Sequence, residues 1–221
     1  MKRVERPSPN HDDRGGAPID MLVLHYTGMQ SGAAAVDRLC DPAAKVSAHY
    51  TIDEDGTVYA HVPEDRRAWH AGVSHWAGVD NVNARSIGIE LVNPGQEYGY
   101  RAFPDAQIAS LISLSHGLVM RHPIAASQVV GHSDVAPMRK DDPGELFPWE
   151  RLAAAGIGLW PQAIASDIGA EALVRYGYDP KADPAKVVTA FQRHFRPARL
   201  TGEWDGECAG LLASLLRQAG V

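Results

Sequence analysis

Residues 129–144, with the sequence VVGHSDVAPMRKDDPG, join a short hydrophobic run to a loop rich in ionisable side chains. The run from Ser127 to Val130 predicts a short strand. Pro137 and the Pro143-Gly144 pair exclude a continuous helix after it, because proline lacks the N–H group that a helix interior needs. The polar side chains are therefore expected on irregular backbone at the end of a strand, where functional sites are often built.

Two side chains of this loop, His132 and Asp142, are metal ligands of the borderline hardness that suits zinc. Lys140 stands two residues before Asp142 and could face the same centre. The alternative is a solvated loop in which the histidine and the aspartate have no function, because short motifs also match by chance.

Two more ionisable residues interrupt apolar runs upstream. Residues 19–25, IDMLVLH, predict a buried central strand that ends at His25, at the rim of the sheet. A satisfied core histidine is the alternative there. Residues 86–92, SIGIELV, predict a second buried strand that contains Glu90. A carboxylate between isoleucine and leucine is costly unless it is paired or functional.

The remaining pattern up to residue 160 combines helices with one hairpin. Apolar residues at helical spacing predict helices over residues 31–40, 108–119 and 149–155. Alternating residues 46–52 and 57–62 flank the turn-forming sequence DEDG and predict a β-hairpin. We therefore expect an α/β fold with a mixed central sheet flanked by helices. The polar residues 1–19 are expected to form an extended arm on the surface of this unit.

After Pro161 the chain contains no strand candidates. Helices are predicted over residues 163–176, 184–195 and 207–219, with Asp205 as the cap of the third. The sequence thus predicts a catalytic domain at residues 1–160 and a small three-helix domain at residues 161–221. Because every candidate ligand precedes the boundary, a chain that ends near Gly158 is expected to bind metal still.

The composition limits the partners and the compartment. Apolar residues make up 45% of the chain and charged residues 22%, as in soluble globular proteins. A net charge of −6 without a lysine- or arginine-rich block argues against nucleic acid, and no apolar run approaches the ~18 residues of a membrane span. The start of the chain lacks the apolar segment of a secretory signal. With Cys40 and Cys208 as free thiols, we expect a cytoplasmic protein.

Several short motifs together resemble one enzyme family. They are LHYT at 24–27, SAHY at 47–50, AWHAG at 68–72, SIGIE at 86–90, GHSD at 131–134 and RKDDPG at 139–144. In this order they resemble the zinc-dependent N-acetylmuramoyl-L-alanine amidases of the type 2 amidase family, which includes phage lysozyme-like amidases and peptidoglycan recognition proteins. The closing K-x-D-P-G resembles the bacterial, recycling-type branch. Residues 164–217, with YGYD and AFQRHF, resemble a type 1 peptidoglycan-binding domain.

The resemblance implies one zinc ion per chain, bound by His25, His132 and Asp142, with Glu90 and Lys140 as the catalytic pair. Three protein ligands leave zinc one open position for water, as in catalytic sites. Zinc lowers the pKa of that water toward about 7. Glu90 would accept the proton of the water, and Lys140 would stabilise the oxyanion of the tetrahedral intermediate.

The resemblance also implies that Tyr26 and Trp69 line the substrate cleft. Lys45 could contact a lactyl or stem-peptide oxygen, although a solvated lysine is the alternative. Asp134 and Asp141 are expected to brace the loop by hydrogen bonds to a ligand or a backbone N–H. We expect structural roles for the remaining histidines of this region, His49, His61, His70 and His75.

The implied reaction is hydrolysis of the amide bond between the lactyl group of N-acetylmuramic acid and L-alanine of the stem peptide. In the recycling branch the substrate is a muropeptide with a 1,6-anhydro sugar. Two alternatives remain: an amidase that acts on the intact cell wall, which requires export, and a non-catalytic peptidoglycan recognition module, which usually lacks a zinc ligand.

Overall fold

Short strands and helices alternate along residues 2–221, the part of the chain that the computed structural model describes. The strands are Arg3–Glu5 (β1), His11–Asp13 (β2), Met21–Tyr26 (β3), Tyr50–Ile52 (β4), Val58–Ala60 (β5), Arg66–Ala68 (β6), Ser86–Leu91 (β7) and Val129–Gly131 (β8). The α-helices are Gly32–Cys40 (α1), Val82–Arg85 (α2), Gly95–Tyr98 (α3), Asp105–Arg121 (α4), His132–Val135 (α5), Trp149–Ala154 (α6), Leu173–Tyr176 (α7), Pro184–Phe195 (α8) and Gly206–Ala219 (α9). Single 3-10 turns occupy Ala126–Gln128 and Ala170–Ala172.

The central sheet has the strand order β1-β5-β4-β7-β3-β8. β3 pairs in parallel with β7 and β8, whereas β4 and β5 form the antiparallel hairpin. This arrangement confirms the predicted mixed sheet flanked by helices. The hairpin strands are shorter than predicted, because residues 46–49, 57 and 61–62 lie outside the regular ladder.

The two faces of β3 belong to different hydrophobic clusters. Leu22 and Leu24 pack in a cluster that includes Ile108 and Leu111 of α4. Met21 and Val23 point the other way, into a cluster that contains Tyr176, Tyr178, Phe191, Phe195, Leu212 and Leu215 from the C-terminal segment. The continuous apolar run of β3 is therefore explained by cover on both faces. The C-terminal helices supply one of the two covers.

The C-terminal segment departs from the sequence prediction at one helix. α8 and α9 lie where they are predicted, and Asp205 caps α9 by accepting the N–H of Cys208. The prediction of one helix over residues 163–176 is wrong, because residues 163–169 are irregular and only a 3-10 turn and α7 follow. Ile164 N–H donates to the carbonyl of Gly210, and the Ile168 carbonyl accepts the indole N–H of Trp204. The backbone groups of Ile164 and Ile168 therefore bond to residues in or just before α9 and not to backbone groups within residues 163–176.

The N-terminal arm is part of the fold rather than a surface layer. Met1 lies outside the described residues. β1 extends the central sheet in parallel with β5, and β2 pairs antiparallel with β6. Arg14 is only 7% exposed and donates to the carbonyl groups of Ala84 and Ser86. Burial of these polar contacts fixes the arm against the segment that leads into β7.

Two smaller observations concern the thiols and the helices. Cys40 and Cys208 are both free thiols. Within residues 2–221, no helix combines the length and apolar character that crossing a bilayer requires.

Candidate metal centre and active site

The parallel strands bring the three predicted metal ligands to one edge of the sheet. His25 lies near the end of β3, and His132 begins α5 immediately after β8. Because Leu24 is level with Gly131 in the β3–β8 ladder, the next residues of both chains emerge side by side. Asp142 reaches the same point from the loop after α5. The exposed fractions of His25, His132 and Asp142 are 1%, 3% and 6%.

Three donor atoms converge at this edge. Nδ1 of His25 lies 3.0 Å from Nδ1 of His132, and both nitrogens lie 3.1 Å from Oδ2 of Asp142. Bonds of about 2.0 Å to a tetrahedral zinc ion place ligand atoms roughly 3.3 Å apart. The three atoms therefore form a compact group that could hold a metal ion.

The tautomer of His25 follows from a chain of hydrogen bonds behind it. The hydroxyl of Ser86 donates to the Val82 carbonyl at 2.7 Å, so its oxygen accepts from Nε2–H of His70 at 3.1 Å. His70 then presents an unprotonated Nδ1, which accepts Nε2–H of His25 at 3.1 Å. The lone pair of His25 Nδ1 is consequently directed toward Asp142 and His132.

His132 is oriented by a backbone carbonyl. Its Nε2 lies 3.1 Å from the carbonyl oxygen of Ala71, which can only accept, and 3.3 Å from Nη2 of Arg139, which can only donate. With the proton on Nε2 and directed to the nearer carbonyl oxygen, Nδ1 carries no proton. The two Nδ1 lone pairs and the carboxylate oxygen of Asp142 thus face each other. None of these three atoms carries a proton that could form a hydrogen bond to the other two. This donor set fits a cation.

Burial and the neighbouring groups favour the metal-binding protonation states. Burial, aided by His132, lowers the pKa of His25 to about 4, against the opposing effect of Asp142. The pKa of His70 is lowered well below its ordinary value by burial and by His25. Burial alone would raise the pKa of Asp142, but the contacts with His132 and His25 outweigh it and hold this pKa below its usual range. A neutral imidazole at His25 and an ionised carboxylate at Asp142 are the forms that coordinate zinc.

Glu90 lies on β7 directly beside His25 in the β3–β7 ladder. Its Oε2 is buried and has no hydrogen-bond partner within residues 2–221. Burial and the nearby Asp142 raise the pKa of Glu90 well above its ordinary value, while Lys140 lowers it. Lys140 lines the same cleft and is half-buried. A carboxyl group without a protein partner beside a metal-ligand set is free to exchange a proton with a bound molecule.

These groups lie in a cleft of about 400 Å³. The predicted residues that line it are Tyr26, Trp69, Glu90, His132, Lys140 and Asp142. Lys45 is exposed and is not among the lining residues, although the following Val46 and Ser47 are. Its contact with substrate stays a prediction.

Sequence reasoning missed two kinds of site residue. His70 was expected to have a structural role, yet it bonds directly to His25. Arg38 and Arg139 line the cleft without having been singled out. Arg139 donates to the Val73 carbonyl at 2.9 Å and also bonds to that of Ala71, so it is held in place. Arg38 lies three residues after Ala35 on α1, so both residues are on one face of that helix, and both line the cleft. This spacing is the sequence signal that could have identified Arg38.

The two aspartates that were expected to brace the loop make longer-range contacts as well. Asp134 accepts the backbone N–H of Gly131 at 2.7 Å, as expected. It also accepts from Tyr178 and His194, and Asp141 forms an ion pair with Arg193. These partners lie in the C-terminal segment.

The fold and this site define an amidase of the peptidoglycan-hydrolysing type. The profile of the Amidase_2 family, N-acetylmuramoyl-L-alanine amidase, matches residues 15–145, and the chain belongs to this family. The N-acetylmuramoyl-L-alanine amidase AmiD of Escherichia coli K12 is 38% identical over an alignment of 234 positions, gaps included, that covers 91% of this chain and 84% of that protein. The 1,6-anhydro-N-acetylmuramyl-L-alanine amidase AmpD of Citrobacter freundii is 38% identical over an alignment of 169 positions, gaps included, that covers 67% of this chain and 87% of that protein.

Two solved structures are similar over nearly the whole chain. AmiD from E. coli in complex with the substrate anhydro-N-acetylmuramic acid-L-Ala-D-gamma-Glu-L-Lys gives a TM-score of 0.82 at 38% identity, with 93% of this chain and 91% of that chain covered. AmpDh3 from Pseudomonas aeruginosa in complex with anhydromuramic pentapeptide gives 0.82 at 34% identity, with 96% and 95% covered. The likeness therefore includes the C-terminal helices.

Proposed function

We propose that this protein is a zinc-dependent amidase that cleaves the bond between the lactyl group of N-acetylmuramic acid and L-alanine in muropeptides with a 1,6-anhydro sugar. The observation that carries the proposal is the convergence of His25 Nδ1, His132 Nδ1 and Asp142 Oδ2 at the base of a cleft that His132, Asp142 and Glu90 line. The solved complexes of AmiD and AmpDh3 are with anhydromuramyl peptides, which supports this substrate class.

The chain supplies both a base and a cation for the reaction. Zinc bound by the three ligands would provide Lewis acidity and make water available as a nucleophile near neutral pH. Glu90 accepts the proton of the attacking water and delivers it to the leaving nitrogen of L-alanine. The ammonium group of Lys140 stabilises the negative charge that develops on the carbonyl oxygen. The elevated pKa of Glu90 brings it closer to the working pH, where proton transfer is most efficient.

The cleft walls would bind the sugar and the peptide. Tyr26 and Trp69 offer aromatic surfaces, and Lys45 stands beside the lining residue Val46. In a stem peptide that contains D-γ-Glu, the γ-linkage leaves the α-carboxylate free. Arg38, on the α1 wall, would pair with it, because Arg139 is already bonded to carbonyl groups and Lys140 is assigned to the carbonyl oxygen of the scissile amide.

The presence of all three donors together with Glu90 favours an enzyme over a recognition module. The peptidoglycan-binding role of residues 161–221 and the cytoplasmic location remain part of the proposal. The boundary near residue 160 is proposed as a boundary between two segments that share one hydrophobic cluster, not between two domains that fold independently. Cell fractionation separates the recycling role from the alternative of wall lysis. Cytoplasmic protein that cleaves anhydro-muropeptides much faster than sacculi supports recycling, whereas exported protein that strips peptides from sacculi supports lysis.

Metal analysis combined with mass spectrometry of the products tests the activity. The wild type should contain one zinc per chain and release free stem peptide from anhydro-muropeptides. The variants His132→Ala and Asp142→Ala should lose nearly all zinc and activity. His75→Ala, in a neighbouring loop where His75 bonds to Asp80, is the matched control and should retain both. Full zinc content in the two ligand variants would contradict the assignment.

A further inference from the structure

A buried carboxylate joins the metal-ligand helix to the C-terminal segment. Asp134 is 0% exposed and lies two residues after His132 on α5. Its Oδ1 accepts the hydroxyl proton of Tyr178 at 2.7 Å, and its Oδ2 accepts Nδ1–H of His194 at 2.7 Å. Two of the three donors to Asp134 thus come from beyond residue 161.

Both donors are themselves immobilised by packing. The ring of His194 stacks on Trp149, with centroids 3.7 Å apart, and on Phe195, with centroids 3.8 Å apart. The ring of Tyr178 lies edge-on to Trp76, with centroids 5.0 Å apart. Because neither ring can turn without disrupting the core, the position of the Asp134 carboxylate is closely constrained. The constraint passes to the backbone that carries His132.

A second tie reaches the other side of the metal-ligand group. Arg193 precedes His194 on α8, and its Nη2 lies 2.9 Å from Oδ1 of Asp141. Asp141 is the residue immediately before the ligand Asp142. The Arg193 side chain is 13% exposed and the Asp141 side chain is 62% exposed, so Arg193 is held by its surroundings while solvent screens the ion pair on the Asp141 side. One turn of α8 therefore contacts both the helix that carries His132 and the loop that carries Asp142.

We infer that the C-terminal segment positions the metal ligands, with Tyr178 and His194 acting through Asp134 and Arg193 acting through Asp141. This inference rests on the proposed function, because it assigns these side chains a role toward the zinc ion. Groups that hold ligands in place typically contribute 10- to 100-fold to metal affinity. In this arrangement the C-terminal helices are needed for the site itself, whatever they bind in addition.

The chain offers a closely matched pair of variants for the test. Tyr178→Phe removes only the hydroxyl that Asp134 accepts. Tyr176→Phe removes the hydroxyl of a neighbouring buried tyrosine that packs on the same Trp76 but does not bond to Asp134. A purely structural role for this cluster would make the two variants alike in metal binding.

The measurement is zinc affinity of the full chain, by competition with a chelator, together with the absorption spectrum of the Co²⁺-substituted protein. We expect Tyr178→Phe to weaken zinc binding about tenfold and to change the cobalt spectrum, which reports ligand geometry, while Tyr176→Phe alters neither. Equal affinities and spectra in the two variants would overturn the inference and leave the proposed function intact. A wild type that binds no zinc would overturn both.

Arg193, which is not a member of the hydrophobic clusters, provides a second variant. Arg193→Met should also weaken zinc binding, and Arg193→Lys should restore part of the loss because it keeps the charge. Arg217→Met, on the exposed side of α9, is the control. Unchanged zinc affinity in Arg193→Met would exclude the Asp141 branch of the inference.

Discussion

His25 and His70 form a buried imidazole pair in which Nε2 of the first lies 3.1 Å from Nδ1 of the second. The direction of this hydrogen bond is set two steps away, where Ser86 donates to a carbonyl group that can only accept. His70 therefore determines which nitrogen of His25 is available to a metal ion. Such outer partners fix both the tautomer and the ring orientation of a ligating histidine.

From this pair we predict that His70→Ala lowers zinc affinity by about 10- to 100-fold. The variant leaves the proton of His25 Nε2 without its acceptor, so the ring can rotate or change tautomer. Zinc affinity measured by chelator competition checks the prediction. His61→Ala, which removes a buried histidine bonded to Thr51 instead, is the control for the cost of losing a ring. Identical zinc affinities in both variants would contradict the prediction.

Glu90→Gln is expected to bind zinc normally and to lose at least about 10²-fold in kcat, because the amide cannot act as a base. The wild-type rate should rise with pH as Glu90 loses its proton. Since burial and Asp142 raise the pKa of Glu90, the midpoint of this acid limb should lie well above the ordinary range of a glutamate. A pH–rate profile measures it. Wild-type turnover in Glu90→Gln would mean that another group is the base.

Lys140→Met should shift that acid limb to still higher pH. The lysine charge lowers the pKa of Glu90, so its removal leaves the raising effects of burial and Asp142 unopposed. The plateau rate should also fall on the order of 10²-fold through lost charge stabilisation in the transition state. Zinc content serves as the control and should not change. An acid limb that stays in place would show that Lys140 does not interact with the catalytic carboxyl group.

The parts of the site that could be predicted from sequence are those where one ionisable residue lies among apolar neighbours. His25 and Glu90 stand out because each interrupts an apolar strand, and the parallel pairing of those strands brings them together. The role of His70 could not be predicted, because it depends on the contact between a loop and two strands. A histidine in that loop looks the same whether it bonds to a ligand or to a backbone carbonyl.

The limits for the fold have a similar origin. The apolar run of β3 indicates that both faces of the strand are buried. It does not indicate that one face packs against helices that lie more than 150 residues later in the chain. Residues 163–176 have the composition of a helix, yet contacts with α9 override that propensity. The source of the cover on β3 and the irregular backbone of residues 163–169 both depend on long-range packing, which local sequence patterns do not encode.

Arg38 should contribute to substrate affinity rather than to the chemical step. It lies with Ala35 and Leu39 on the face of α1 that lines the cleft, and within residues 2–221 its guanidinium forms no ion pair. We expect Arg38→Ala to raise KM about tenfold for a muropeptide with a free D-γ-Glu carboxylate, as one lost charge-assisted contact would do, with kcat unchanged.

The matched control for Arg38 is chemical. The same variant should show little change in KM for a substrate in which that carboxylate is amidated, and Arg38→Lys should retain part of the affinity. A KM increase of equal size for both substrates would indicate a general disturbance of the cleft instead of recognition of the carboxylate.

The C-terminal helices and the central sheet should unfold as one unit. Phe191 of α8 is fully buried in the cluster that also contains Val23 and Val130 from the sheet. Phe191→Ala should therefore destabilise the whole chain by about 3–5 kcal/mol, and Val174→Ala, at an exposed position of α7, by less than about 0.5 kcal/mol. Denaturant unfolding followed by far-UV circular dichroism and by zinc release is the measurement, and the two signals should shift together.

For the same reason a chain that ends at Gly158 should fold poorly and bind zinc weakly, contrary to the expectation from ligand positions alone. Zinc release that is unaffected by Phe191→Ala would instead establish residues 161–221 as an independent domain.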